Sequence, residues 1–119
     1  MTQVRDHLAC LLQGATGAGV ATERVLLDPG IGFAKTMEHN LQLLRRLAEL
    51  TAVARPLVLG TSRKKFIGTI TGEDEPSHRL FGTAATVAHC VTNGASIVRV
   101  HDVGPMAKVL RMIRAIQGK

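Results

Sequence analysis

Apolar residues recur along this chain with two periods, and the periods alternate. Val4, Leu8, Leu11, Leu12 and Ala15 fall at helical spacing, which predicts a first helix with Thr2 as its cap and Gly17 and Gly19 as its stop. Arg24-Val25-Leu26-Leu27-Asp28 then reads as a strand closed by Pro29-Gly30. Thr36 is placed to cap a second helix, whose stripe is Leu43, Leu44, Leu47 and Leu50 with Leu41 at its margin. Leu57-Val58-Leu59-Gly60 is a second strand, reached through Pro56. A connection of about twenty residues, Thr61 to Arg79, follows; loops of that length in compact domains are usually functional or mobile. Leu80, Ala84, Val87, Ala88 and Val91 mark a third helix, with Asn93-Gly94 as a left-handed stop. Ser96 to His101 is the third strand, and Pro105 suits the first turn of a last helix striped by Met106, Val109, Leu110, Ile113 and Ile116.

The order is therefore αβαβαβα, an α/β pattern whose strands run parallel and are joined by right-handed crossovers. Three parallel strands alone leave both sheet edges open. A closed (β/α)8 TIM barrel takes eight strands and typically about 250 residues. The expectation is a partial barrel: residues 1–119 as three C-terminal parallel β/α units preceded by a helix, part of something larger or paired with another chain.

Composition narrows the function classes. The chain has 119 residues, 45% apolar and 20% charged, which suits one globular domain. No apolar run approaches the roughly 20 residues of a membrane span, and the first residues lack a signal-peptide core, so a cytoplasmic location and no membrane partner are expected. Cys10 and Cys90 form no C-x-x-C pair and are expected to be small core residues. The net charge of +6 favours anionic partners. Nucleic acid is not expected, because the chain has no Trp or Tyr and only three Phe to stack on bases. Arg45, Arg46, Lys108, Arg111 and Arg114 read as solvated helix faces, and His7, His39, His78 and His89 show no metal-ligand spacing.

Chemistry gathers where the three strands end, the rim at which β/α folds build ligand sites. Asp28 is in phase with Leu26 and opposite Val25 and Leu27. Its two carboxylate oxygens match a heterocycle edge with two parallel N–H donors, or cap an Asp-Pro-Gly turn; spacing leaves both readings open. Gly30-Ile31-Gly32-Phe33-Ala34-Lys35 fails the Walker pattern, but Phe33 is placed to stack on a flat ring or to plug a barrel mouth. Ser62-Arg63-Lys64-Lys65 offers a hydroxyl and three cations to phosphate or carboxylate, or is a solvated charge run. Arg99 and His101 share a strand face with Ile97, a costly pairing unless an anion meets it or Asp102 neutralises it.

Taken together, Leu27 to Lys35, Gly60 to Gly68 and Gly94 to Val103 resemble the C-terminal part of the dihydropteroate synthases, the pterin-binding enzymes of folate biosynthesis. The similarity covers nearly the whole chain, in order and separation. It implies a β/α barrel that joins 4-aminobenzoate to a dihydropterin carrying a methyl diphosphate, releasing diphosphate. Asp28 would grip the pterin's amino and ring N–H groups, with Phe33 beside it, Gly60 beneath the ring and Lys64 on the carbonyl edge. Ser62 and Arg63 would line the 4-aminobenzoate site, which sulfonamide drugs occupy. Arg99 and His101 would bind diphosphate, with Val100 between them in the substrate site. Lys64, Arg99 and His101 are thus the expected catalytic residues.

The resemblance further implies Mg2+, whose protein ligand belongs to the family's N-terminal strands and loops; no metal ligand is expected within this chain. Family barrels usually dimerise through C-terminal helices, so a homodimer, or association with an N-terminal half, is expected. Ala34 stands where glycine is common, and Lys65 where serine is common. Two other readings compete. A related pterin-binding methyltransferase domain is disfavoured by Ser62-Arg63-Lys64, and a non-catalytic fragment would act by binding a ligand or partner.

Overall fold

Helices and short parallel strands alternate along the chain; the computed structural model describes residues 2–52 and 56–119. Helix α1 (Thr2–Gly17) includes Thr2 as a helical residue, and Gly19 turns the chain at φ +92°. The expected strand at Arg24–Asp28 is much shorter. Thr22–Arg24 forms a 3₁₀ turn, and only Leu27 pairs, as an isolated parallel bridge to Leu57. The bridge consists of Leu27 N–H to Pro56 C=O at 3.2 Å and Val58 N–H to Leu27 C=O at 2.8 Å. A strand with one neighbour keeps only the bonds that neighbour offers, and Val25, Leu26 and Asp28 fall outside the pairing.

Thr36 caps α2 (Met37–Arg45), its hydroxyl accepting from His39 N–H at 3.2 Å. The predicted single helix breaks at Arg46 (φ −109°, ψ 22°) and resumes as α3 (Leu47–Thr51). Leu43 and Leu44 on one segment and Leu47 and Leu50 on the other are all buried in the core. Strand β1 (Val58–Leu59) follows, then α4 (Lys65–Thr71), closed by Gly72 at φ +76°. The expected Thr61–Arg79 loop therefore contains α4 and a 3₁₀ turn at Pro76–His78. Its threonines, isoleucines and glycine are weak helix formers, and burial of Phe66, Ile67 and Gly68 overrides them.

Helix α5 (Leu80–Thr92) ends at Asn93 and Gly94, the latter at φ +97°. Its buried face is Thr83, Val87 and Cys90, displaced from the purely apolar stripe read in the sequence. Strand β2 (Ile97–Val98) pairs in parallel with β1, Val58 opposite Ile97 and Leu59 opposite Val98. Helix α6 (Val103–Ile116) carries Pro105 in its first turn.

The core lies on one side of the sheet. Leu27, Leu57 and Leu59 meet Leu8, Ile31, the α2–α3 leucines, Phe66, Ile67 and Cys90 there. The alternate strand positions, Leu26 and Ile97, stand on the other side and are exposed. Cys10 is exposed, against expectation, because it falls outside the buried face of α1 that Leu8 defines. Among the described residues no helix is long and apolar enough to cross a membrane.

Candidate functional site

Parallel strands bring their C-terminal ends to one edge, so the segments after Leu27, β1 and β2 meet there. A cleft of about 540 Å³ lies between the last two, lined by Gly60, Ser62, Arg63, Lys64, Pro76, Arg99, Val100 and His101. Seven of these were singled out in the sequence; Pro76 comes from the 3₁₀ turn that reading missed.

Register explains the convergence. Val58 faces Ile97, so Gly60 falls beside Arg99 two residues on. Gly60 has no side chain where Arg99 lies: a Cβ there would stand 2.5 Å from the guanidinium Nη2. Arg99 Nη2 reaches 4.0 Å from Asp28 Oδ2, linking the third segment to the first. Asp28 lies outside the cleft itself, and its Oδ1 accepts from Gly30 N–H at 2.8 Å. The turn-cap reading thus holds for one oxygen, while the other is turned to Arg99.

Phe33 stands among the exposed large apolar residues of this chain. Its ring is 57% exposed, with the Lys64 ammonium 3.6 Å from its centroid, a cation–π contact. Gly32 (φ +81°) permits this, since a Cβ there would stand 2.7 Å from Lys64 Cδ. Burial lowers the Lys64 pKa from the ordinary 10.5; nearby Arg99 lowers it further, and Asp28 opposes both. Ala34 holds φ +46°, which accounts for the glycine common at this point and strains the alanine.

Two residue pairs join the β1 and β2 loops. Ser62 Oγ lies 2.8 Å from His101 Nδ1 and accepts from His101 N–H at 3.1 Å. Arg63 clasps Asp102 with both arms of its guanidinium, Nη2 to Oδ1 at 2.8 Å and Nε to Oδ2 at 3.2 Å. The Asp102 carboxyl is held below its usual range first by these hydrogen bonds. Asp102 therefore serves Arg63, and the alternative in which it neutralises Arg99 and His101 is not what forms. Arg99 keeps a guanidinium, and His101 a ring nitrogen, for the cleft.

Sequence reasoning missed the supports. Asn40 is buried; its Oδ1 accepts from Gly32 N–H at 2.7 Å and its Nδ2 donates to Thr36 C=O at 2.9 Å. A polar residue on the inward side of a predicted helix, four after the cap, was the available signal. Among the described residues no group of three or more His, Cys, Asp or Glu could hold a metal ion.

A family model described as "Pterin binding enzyme" matches residues 1–101. A dihydropteroate synthase of Synechocystis sp. is 45% identical over 114 residues, covering 96% of this chain and 39% of the relative. A solved dihydropteroate synthase of Xanthomonas albilineans, in complex with 7,8-dihydropteroate, superposes with a TM-score of 0.96 at 36% identity, over 99% of this chain and 46% of that one. The Thermus thermophilus enzyme in complex with 4-aminobenzoate superposes at 0.92 with 39% identity, over 98% and 46%. The chain thus spans about two fifths of the length of the Synechocystis, Neisseria and Bacillus relatives it matches.

Proposed function

This chain belongs to the pterin binding enzyme family, and from that premise we propose that its cleft is part of a dihydropteroate synthase site. The reaction condenses 4-aminobenzoate with (7,8-dihydropterin-6-yl)methyl diphosphate, giving 7,8-dihydropteroate and diphosphate. In this reading the three parallel units stand in a (β/α)8 barrel, with Leu26 and Ile97 facing its lumen. The observation that carries the reading is the meeting of Asp28, Lys64, Arg99 and the Ser62–His101 pair at one strand edge. The ligands named for the solved relatives support the choice of substrates.

The roles follow from the chemistry of each group. The Asp28 carboxylate accepts from the pterin's amino and ring N–H groups, taking them in place of Arg99 and Gly30 N–H. Gly60 leaves flat space for the ring, Lys64 donates to its carbonyl, and Phe33 covers its edge. Arg99 and His101, with Val100 between them, hold the diphosphate. Ser62 and Arg63 border 4-aminobenzoate, Arg63 with the Nη1 that Asp102 leaves unused.

The C–O bond to diphosphate breaks first, its electron pair leaving on oxygen. The amine of 4-aminobenzoate then donates its lone pair to the exocyclic methylene cation and sheds a proton. Cations fixed where charge develops lower that barrier, and no covalent nucleophile takes part. The described residues do not fit Mg2+ as a resident ion: they hold no group of three or more His, Cys, Asp or Glu, and Asp102 is committed to Arg63.

Titration calorimetry of the chain with 6-hydroxymethylpterin tests the reading. Asp28→Asn keeps one acceptor oxygen and replaces the other with a donor, so affinity should fall about tenfold or more. Equal affinities would remove Asp28 from the site. A pH series from 7 to 10 supplies a second check. Lys64 is charged below its pKa and neutral above it, and that pKa lies below the ordinary 10.5. Pterin affinity should therefore decline over this range more steeply for the parent chain than for Lys64→Met, which has no ammonium to lose. Parallel curves would exclude Lys64.

A further inference from the structure

The first turns of α5 grip the turn that carries Ser62 and Arg63. Arg79, Thr83 and Thr86 follow one another along one side of the helix. Arg63 N–H donates to the fully buried Thr83 Oγ1 at 3.1 Å, and Arg79 Nη1 donates to Arg63 C=O at 2.9 Å. Thr86 Oγ1 lies 2.8 Å from Thr61 Oγ1. Both main-chain polar groups of Arg63 are thus held by one helix, while Arg63 sits at φ +57°, a conformation that side chains disfavour. The rest of Arg79 holds the opposite wall: Nε donates to Glu73 C=O at 2.9 Å and Nη2 to Asp74 C=O at 2.6 Å, just ahead of Pro76. Gly68 makes room, because a Cβ there would collide with Arg79 Nε and Glu73 C=O.

We propose that Thr83 and Arg79 are positioning residues. By pinning Arg63 in the left-handed turn they aim Ser62 at His101 and Arg63 at Asp102, and Arg79 fixes the Pro76 wall against the same turn. Neither side chain lines the cleft. For its ligand, the proposal rests on the reading that Ser62 and Arg63 border 4-aminobenzoate.

The test pairs a geometric readout with a binding one. Amide hydrogen exchange of Arg63 N–H is followed by NMR, and 4-aminobenzoate affinity by calorimetry, for the full chain and for Thr83→Val, Thr83→Ser and Arg79→Lys. Thr83→Val keeps the shape and removes the acceptor, so Arg63 protection should fall about tenfold, the cost of one buried unpaired donor, with a comparable loss of affinity. Thr83→Ser should restore both. Arg79→Lys cannot make a three-way fork and should lower affinity even if Thr83→Val fails to fold. Unchanged Arg63 protection in Thr83→Val overturns the clamp. So does protection lost with affinity intact. If the parent chain binds no 4-aminobenzoate, the functional reading fails, and the clamp is then decided by the exchange data alone.

Discussion

Arg99→Ala is expected to lower the affinity for inorganic diphosphate about a hundredfold, the loss of two charge-assisted hydrogen bonds at roughly 1.5 kcal/mol each. The guanidinium is 59% exposed and 4.0 Å from its nearest carboxylate, so it is not committed to a tight internal pair. That exposure also predicts that diphosphate binding weakens with added salt. Arg99→Lys should recover only part of the loss, because an ammonium is a point charge and cannot fork. Gly60→Ala offers an independent route to the same result. The new methyl would stand 2.5 Å from Arg99 Nη2, and the flexible guanidinium, rather than the strand, will yield. Affinity should fall while stability holds, and the double variant should lose little more than Arg99→Ala alone, since both act through one side chain. Full additivity, or an Arg99→Ala chain that binds diphosphate normally, would assign Arg99 to Asp28 and not to a ligand.

Most of the architecture could be read from the chain because its helices and strands differ in period and carry clear punctuation. Thr36, Gly94 and Pro105 perform the roles their types suggest. The meeting of the candidate residues was legible for a related reason: strand ends in parallel sheets share an edge, so polar residues just past each apolar run converge without any knowledge of the rest. What stayed hidden depended on tertiary contact. The helix at Lys65–Thr71 is built from residues of poor propensity and exists because Phe66 and Ile67 are buried. Arg63 pairs with Asp102 across 39 positions, a partnership no local spacing encodes. The strand before Asp28 shortened to a single bridge because pairing is set by neighbours, not by the apolar run itself. Cys10 and Cys90 look alike in sequence, and only the facing of their helices separates an exposed thiol from a buried one.

That separation makes the thiols a probe for the largest stability effect expected here. Leu47 is fully buried in the core that also holds the α2 leucines, and in Leu47→Ala the lost transfer energy and the cavity together cost about 2–5 kcal/mol. Cys90 belongs to the same core, and burial pushes its thiol up to about 12, so it has almost no thiolate to offer an aromatic disulfide reagent until the core opens. Its labelling rate then reports the open fraction, and Leu47→Ala should speed it by about thirtyfold or more. Cys10 is exposed and should label at one rate in both proteins, serving as the internal reference. Should Leu47→Ala unfold outright, Cys90 will label as fast as Cys10, and the milder Leu47→Met will give a graded value. The contrary result is equally clear. Cys90 lies two residues from the end of α5, so fraying of that helix alone could expose it. Labelling that ignores Leu47 would show such local opening and would split the core into parts that do not unfold together.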